Sequence, residues 1–487
     1  MNYHKISLAV LSVFFAEGSM AQNYQAIHGS VYAGSLSAGN NPASLIHVPY
    51  SWDITPLAFQ FKQSSNAFIV KNFSLLSPSG NSIVENTYGV KNRFFFANQD
   101  LRLLNARFKL NSRSAIAFGA NLRSYMYGTS DKSNYQDTTI SLADFQRINV
   151  EYQPLGFDAA ASTWAETYVS YARTFFDDGY KIVNAGITLK YNRSIAGGYA
   201  KGNDIRYIAD ADTNNPTGFL LTNGRLQYGY SSNIDDARNG GSFNTGALLE
   251  NTYSNISADI GIEYIFLSSD EEDEDDSYAY KTKLGISLMD IGGNRYRHSS
   301  RSRFGNAVKI GINDTILENK FRDVRDIDDF NDSLATISNS LSAITGDFVV
   351  YKPTRLVINI DHRIRQNFFV NTEITLPVIS LAGKNSLYIK DMNLLAVTPR
   401  WETRKFGAYL PVLFNMRKQL WVGGAFRAGP LLLGIHNLAN IFSKNRMQNG
   451  GMYVALTIRP GKTNNRQDDE NGAQKKKQAK KVKCVSF

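Results

Sequence analysis

Charged side chains recur at every second position of otherwise apolar runs, and this spacing is the first chemical signal in the chain. Arg107, Arg123, Lys190, Asp259, Glu263, Asp361, Glu373 and Arg400 are placed this way, as are Lys62, Lys109, Glu166 and Arg459. Guanidinium and carboxylate groups at strand spacing can pair across a shared interior through bidentate hydrogen bonds. Reactive chemistry fits less well. The patterns HExxH, GxSxG and GxxxxGK[ST] are missing, and with them the usual spacings for a zinc hydrolase, a serine nucleophile and a nucleotide phosphate site. Only His362 and His436 fall in or beside candidate strands, and an isolated strand histidine is more often a hydrogen-bonded structural residue. A Ser/His pair on an outer surface is the remaining enzymatic alternative, but nothing singles out its serine. The single cysteine, Cys484, excludes an internal disulfide framework and multi-cysteine metal sites. No enzymatic activity, cofactor or metal is expected.

The elements that must position these charges are strands. The 487 residues carry 29 Phe and 26 Tyr against 12 Pro, a mix that favours strand over helix. From Val183 to Asn192 one face reads Val, Ala, Ile, Leu, Tyr and the other Asn, Gly, Thr, Lys, Asn. The same split recurs in Ile256–Tyr264 and in Met452–Arg459. A soluble sandwich also alternates, so length and charge must decide. The candidate strands run about 10 to 14 residues, near the 9 to 11 of a tilted membrane strand and above the usual 5 to 6 of globular sheets. Fully charged polar faces suit the wet or hydrogen-bonded interior of a barrel.

Strands are expected near 52–65, 100–110, 114–127, 162–176, 180–194, 255–266, 279–291, 354–364, 367–378, 392–402, 405–414, 418–427, 430–438 and 450–460. The fold class that follows is all-β: a closed antiparallel transmembrane β-barrel of about 14 strands. With the first strand starting on the periplasmic side, the tight turns at 111–113, 177–179, 403–404 and 428–429 all fall there. The long connections 66–99, 128–161, 195–254 and 292–353 fall on the other side, which is how such barrels are built. Both termini are then periplasmic.

Lys5, the apolar stretch Ile6–Phe15 and Ser19-Met20-Ala21 read as a secretory signal peptide over 1–21. About 10 apolar residues are too few to anchor a helix in a bilayer. Residues 22–51 lack alternation and are rich in Gly, Ser, Asn and Ala. They form a candidate plug or periplasmic arm with a turn at Asn41, Pro42 and Ala43, since the residue before proline is pushed out of the helical region. The barrel occupies 52–460, and 461–487 is a basic tail.

Several short motifs carry a resemblance. His28-Gly29-Ser30-Val31-Tyr32-Ala33-Gly34, Asn40-Asn41-Pro42-Ala43-Ser44-Leu45, Trp52-Asp53-Ile54, Leu284 to Gly292 and Pro353-Thr354-Arg355-Leu356 resemble an uncharacterised outer-membrane family of Bacteroidetes. They are also similar to the wider group of FadL-type transporters of hydrophobic compounds and to the PorV-type barrels of the type IX secretion system. The resemblance implies a fourteen-stranded barrel of a Gram-negative outer membrane with an N-terminal plug. It supplies no active residues.

Net charge is +10, from 53 basic and 43 acidic side chains. Half of it lies in the tail, densest at Lys475, Lys476, Lys477, Lys480, Lys481 and Lys483. After secretion nucleic acid is not an expected partner; outer-membrane lipid, or a periplasmic or secretion-machinery protein, fits the electrostatics. A disordered tail that binds nothing is the alternative. The acidic run Asp270 to Asp276 lacks the glycine and spacing of a calcium loop and reads as solvated. Arg295, Arg297, Arg301 and Arg303 with His298 form an outer-loop cluster suited to phosphate or carboxylate groups, or to the loop acids Asp323, Asp326, Asp328 and Asp329. Residues 328–344 show helical spacing. The expected function is an accessory or scaffold role in envelope assembly or secretion with a plugged or gated lumen; the alternative is a passive transporter or channel for a small solute, a hydrophobic one among the options.

Overall fold

The computed structural model describes residues 24–460 except 73, 75–81, 140, 212–217, 239–243, 269–278, 379–385 and 443–446. The expected signal peptide over 1–21, the acidic run and the tail lysines lie outside the described residues.

Fourteen antiparallel strands close into a ring. In chain order they are Trp52–Ser65, Lys91–Asn111, Ser114–Ser133, Leu155–Asp177, Lys181–Ala209, Ser254–Leu267, Tyr280–Ile291, Arg355–Arg365, Phe368–Pro377, Leu394–Glu402, two pieces Phe406–Tyr409 and Val412–Asn415, two pieces Leu420–Val422 and Gly424–Ala428, Leu431–Ile435, and finally Asn449–Gly450 with Met452–Ile458. The first strand pairs on one side with the second and on the other with the last, Leu57 opposite Leu456 and Phe59 opposite Val454. Closure leaves no free edge in the ring. The tight turns at one end and the long connections at the other follow the sequence-based expectation.

Alternation sets which face is which. Ile187, Leu189 and Tyr191 are 45%, 58% and 56% exposed, whereas Thr188, Lys190 and Asn192 are 1%, 5% and 0% exposed. A soluble protein would reverse this, since burial of apolar groups drives folding in water. The exterior is apolar all round, with Leu103, Val169, Ile260, Ile286, Ile374, Phe426 and Leu456 among its exposed side chains.

Two things depart from the expected elements. The connections expected as loops carry sheet, because several strands run past the length a bilayer needs. Lys181–Ala209 spans 29 residues, and its outer part pairs with Phe219–Tyr230, which in turn pairs with Arg303–Val308 and then Ser338–Ala343. The helix expected over 328–344 is Ile327–Ile337 only, with Asp326 accepting from the amides of Asp328 and Asp329. Ser338-Asn339-Ser340 favours the helix poorly and completes a ladder with Arg303–Val308 instead. Inward-facing Leu334 and Ile337 pack on Tyr228 and Ile312.

A separate sheet, Gly293–Arg297 with Asp347–Tyr351 and Leu387–Tyr388, lies at the long-loop end. It packs through Tyr296, Phe348 and Val350 on Phe94, Phe96, Tyr125, Tyr127, Trp164 and Tyr199 of the strands. We refer to it as the cap.

Candidate functional site

Residues 24–51 turn through three short 3-10 segments, Gln25–Ile27, Gly34–Gly39 and Pro42–Leu45. Asn41 is extended at φ −152°, as a residue before proline must be, and its side chain accepts from the Ala43 amide. Small residues let this chain pass close to the barrel wall, and the wall is shaped to match. Gly186 and Gly261 face each other across adjacent strands. A Cβ on Gly186 would meet Pro42 at 2.5 Å, and one on Gly261 would strike the Asn41 amide. The Asn41 amide then donates to the Ile262 carbonyl at 3.1 Å.

Strands on opposite sides of the ring bond this segment. Arg102 donates to Leu36, Arg107 to Leu45 and Tyr50, Ser287 to Asn40, Arg355 to Gly39 and Arg400 to His28, in each case to the carbonyl. Ser44 donates to Glu263 at 2.7 Å, Asn40 to Glu373 at 3.0 Å and Ser30 to Glu402 at 2.6 Å. Only a chain inside the ring can reach all of these at once.

Around it the charges gather in three centres. In the first, Asp290 accepts from Arg123 at 2.6 and 3.0 Å, from Lys190 at 2.7 Å and from Arg355 at 2.7 Å. Lys190 also pairs with Asp259 at 2.8 Å, and Trp164 donates to Glu166 at 2.9 Å. Trp164 lies under two cations, Arg123 and Lys352. In the second, Arg400 grips Asp361 with both terminal nitrogens at 2.7 Å and Glu402 through Nε at 2.8 Å, while His28 Nδ1 lies 2.7 Å from Glu373. In the third, Arg107 Nε meets Asp53 at 2.6 Å, and the Ser35 amide donates to the same carboxylate.

The structure thus places Arg107, Arg123, Lys190, Asp259, Glu263, Asp361, Glu373 and Arg400 inside the ring, all buried. Asn41, Pro42 and Ala43 sit against the glycine-lined wall. The candidate tail residues Lys475, Lys476, Lys477, Lys480, Lys481 and Lys483 lie outside the described residues. Sequence reasoning missed Asp290, Arg355, Asp53, Arg102, His28 and Glu402. Asp290 sits within the register shift between Leu288 and Ile291 and has φ +58°, so simple alternation misplaces it. Its signal was the Asp-Ile-Gly-Gly end of its strand.

The outer-loop arginines divide their partners differently from the expectation. Arg301 pairs with Asp328 at 2.7 Å and with Asp235 at 2.9 Å, and Arg295 pairs with Asp347 at 2.6 Å. Arg303 bonds backbone carbonyls, and Asp326 caps a helix. In the cap, burial of Asp347 would raise its pKa, but the Tyr253 hydroxyl and Arg295 outweigh it and hold the carboxyl below the usual range. Burial lowers the pKa of His298, whose ring lies 4.5 Å from that of Phe348.

Every centre joins carboxylates to cations, so the arrangement can anchor a segment and fix charge. Among the described residues no three His, Cys, Asp or Glu side chains are grouped to hold a metal.

A comparison with curated protein sequences gives no match. Among solved structures, the Ralstonia pickettii toluene transporter TbuX is similar, at 11% identity and TM-score 0.39 over 88% of this chain and 94% of that one. A Pseudomonas aeruginosa FadL homologue gives 10% and 0.38 over 91% and 99%. The P. putida toluene transporter TodX gives 9% and 0.38 over 88% and 95%. A family model for proteins of unknown function, DUF5723, matches residues 42–435, most of the barrel, and the chain belongs to that family.

Proposed function

We propose that the protein is an outer-membrane barrel that passes a small, hydrophobic solute passively, with residues 24–51 as a plug that must shift for passage. The observation that carries this reading is how that segment is held. It crosses the ring on hydrogen bonds and ion pairs such as His28 to Glu373 and Ser30 to Glu402, all of which can break and re-form. Two small cavities beside it and near its end, one lined by Arg102, Arg123 and Lys190 and one by His47 and Asn184, hold about 20 Å³ each. That is room for a single water at most, which supports a narrow passage beside the segment as it stands. Beyond the first charge centre lies the aromatic cluster under the cap, with Phe94, Phe96, Trp164 and Phe348, whose rings suit an apolar solute on its way in. The apolar exterior supports a bilayer setting, with the short turns and both termini in the periplasm after signal-peptide removal.

A second reading, an accessory or scaffold role in envelope assembly or secretion, is favoured by the extent of charge pairing inside the barrel. One experiment separates the two. Deleting residues 24–51 and reconstituting the protein in liposomes should raise uptake of toluene and ionic conductance together by about tenfold or more, the plug having been worth at least 1.4 kcal/mol of barrier. If the deletion variant keeps the gel-mobility shift of a folded barrel yet stays as tight as the full chain, transport is wrong and the scaffold reading stands.

A further inference from the structure

The barrel wall is indented along one sector of its outer face. Two neighbouring strands are interrupted at one height, at Leu410-Pro411 and at Gly423, beside Pro399 of the continuous strand Leu394–Glu402. The strand pieces Phe406–Tyr409 and Val412–Asn415 are separated there, as are Leu420–Val422 and Gly424–Ala428. Proline has no amide to give to a ladder, so each break is bridged by one bond to a proline carbonyl: Leu410 to Pro399 at 3.0 Å and Gly423 to Pro411 at 2.7 Å. The result is a groove of about 1130 Å³, open along its outer side. That exceeds the roughly 300 to 1,000 Å³ of ordinary ligand pockets. Small outward residues, Ala408 and Gly424, form its floor, and Phe368, Trp401, Phe426 and Met452 form its walls.

A plain lipid-facing wall needs no groove, since acyl chains cover any apolar surface. Charge at one end makes this sector different. Arg365, which lines the groove, lies at the short-turn end with its guanidinium 4.8 Å from the Phe368 ring. The next turn, between Glu402 and Phe406, carries Arg404 and Lys405. All three cations are exposed, and no ion pair to a carboxylate of the described residues engages any of them; Glu402 on the same turn is turned inward to Arg400. An apolar trough that ends at three cations complements a molecule with hydrocarbon chains and an anionic head.

We propose that this groove holds one glycerophospholipid of the adjoining leaflet, its acyl chains along the apolar floor and its phosphate at Arg365, Arg404 and Lys405. The proposal rests on the bilayer setting inferred above and is independent of solute passage. The lipid fills the indentation that the backbone breaks leave, so its site is a fixed one rather than part of the mobile annulus.

The test is native mass spectrometry of the full chain, stripped of annular lipid by detergent and then offered phosphatidylglycerol or a diacylglycerol with the same chains. The expected result is one phosphatidylglycerol per chain and no retained diacylglycerol. Ala408→Trp should fill the floor and abolish retention, and the combined change Arg365→Glu, Arg404→Glu, Lys405→Glu should weaken it by about tenfold or more. Equal retention of diacylglycerol, retention unaffected by Ala408→Trp, or no retained lipid would each overturn the proposal; so would a dimer that Ala408→Trp disperses, because a second copy would then be the occupant. The lipid comparison needs no variant, so it decides even if a variant misfolds. A gel-mobility shift on heating reports the barrel separately: its loss in the full chain counts against the bilayer setting, whereas a retained shift with no bound lipid counts against the groove alone.

Discussion

Asp290 takes bonds from Arg123, Lys190 and Arg355 at once and is fully buried, so its carboxylate sets the charge balance of the first lumen centre. Asp290→Asn keeps the shape and removes the charge, leaving three buried cations to share Asp259 and Glu166. Breaking a buried pair on one side costs about 3 to 5 kcal/mol. The expected outcome is a matching drop in urea stability of the refolded barrel, and an unchanged midpoint would mean that water reaches this centre. The same logic revises Lys190. Alternation alone makes Lys190→Ile a mild change on the lumen side, but Lys190 pairs with both Asp259 and Asp290, so its loss takes the paired cation from buried Asp259 and leaves Asp290 with only Arg123 and Arg355. At this scale the sequence shows which face a charge takes. It does not show the partner, because a partner such as Asp290 to Arg123 is 167 residues away and is brought near only by closure of the ring.

Elements were legible to different degrees, and the membrane explains the pattern. In the barrel the outer face must be apolar while the inner face is polar, so every strand advertises itself by period two, and all fourteen expected strands are present. Above the bilayer that demand ends. The outer continuation of Lys181–Ala209 is recognisable only through its pairing with Phe219–Tyr230. The cap depends on such particulars. Gly197 lies under Tyr296, whose hydroxyl is 2.7 Å from Ser162 Oγ, and a Cβ at Gly197 would come within 2.6 Å of the ring. Gly197→Val should therefore push Gly293–Arg297 off the strands at a cost of about 1 to 3 kcal/mol. Hydrogen exchange should show protection lost in Gly293–Arg297 and Asp347–Tyr351 while the barrel strands keep theirs. Equal loss in both would show that cap and barrel unfold as one.

For the whole molecule, the question is which residues close the ring. The last strand brings Met452 to Ile458 against Leu431–Ile435 on one side and Trp52–Ser65 on the other. Its outward face carries Met452, Leu456 and Ile458, 41%, 39% and 47% exposed, and its inward Tyr453 packs edge-on against Tyr24 of the N-terminal segment. Arg459 donates to the Tyr32 carbonyl, so the strand's end is tied to that segment as well. Pro460 follows and cannot donate to a ladder. Ring closure, outer-face burial and the tie to the N-terminal segment are thus all complete by residue 460. Removing 461–487 takes away half of the net charge of +10 and no strand pairing. The truncated protein should fractionate with outer membranes and shift on unboiled gels as the full chain does. If the tail serves a partner, co-purification of that partner should disappear and, in the full chain, should weaken as salt screens the lysines. A barrel that fails to assemble without 461–487 would show that assembly needs residues beyond the strand that closes the ring.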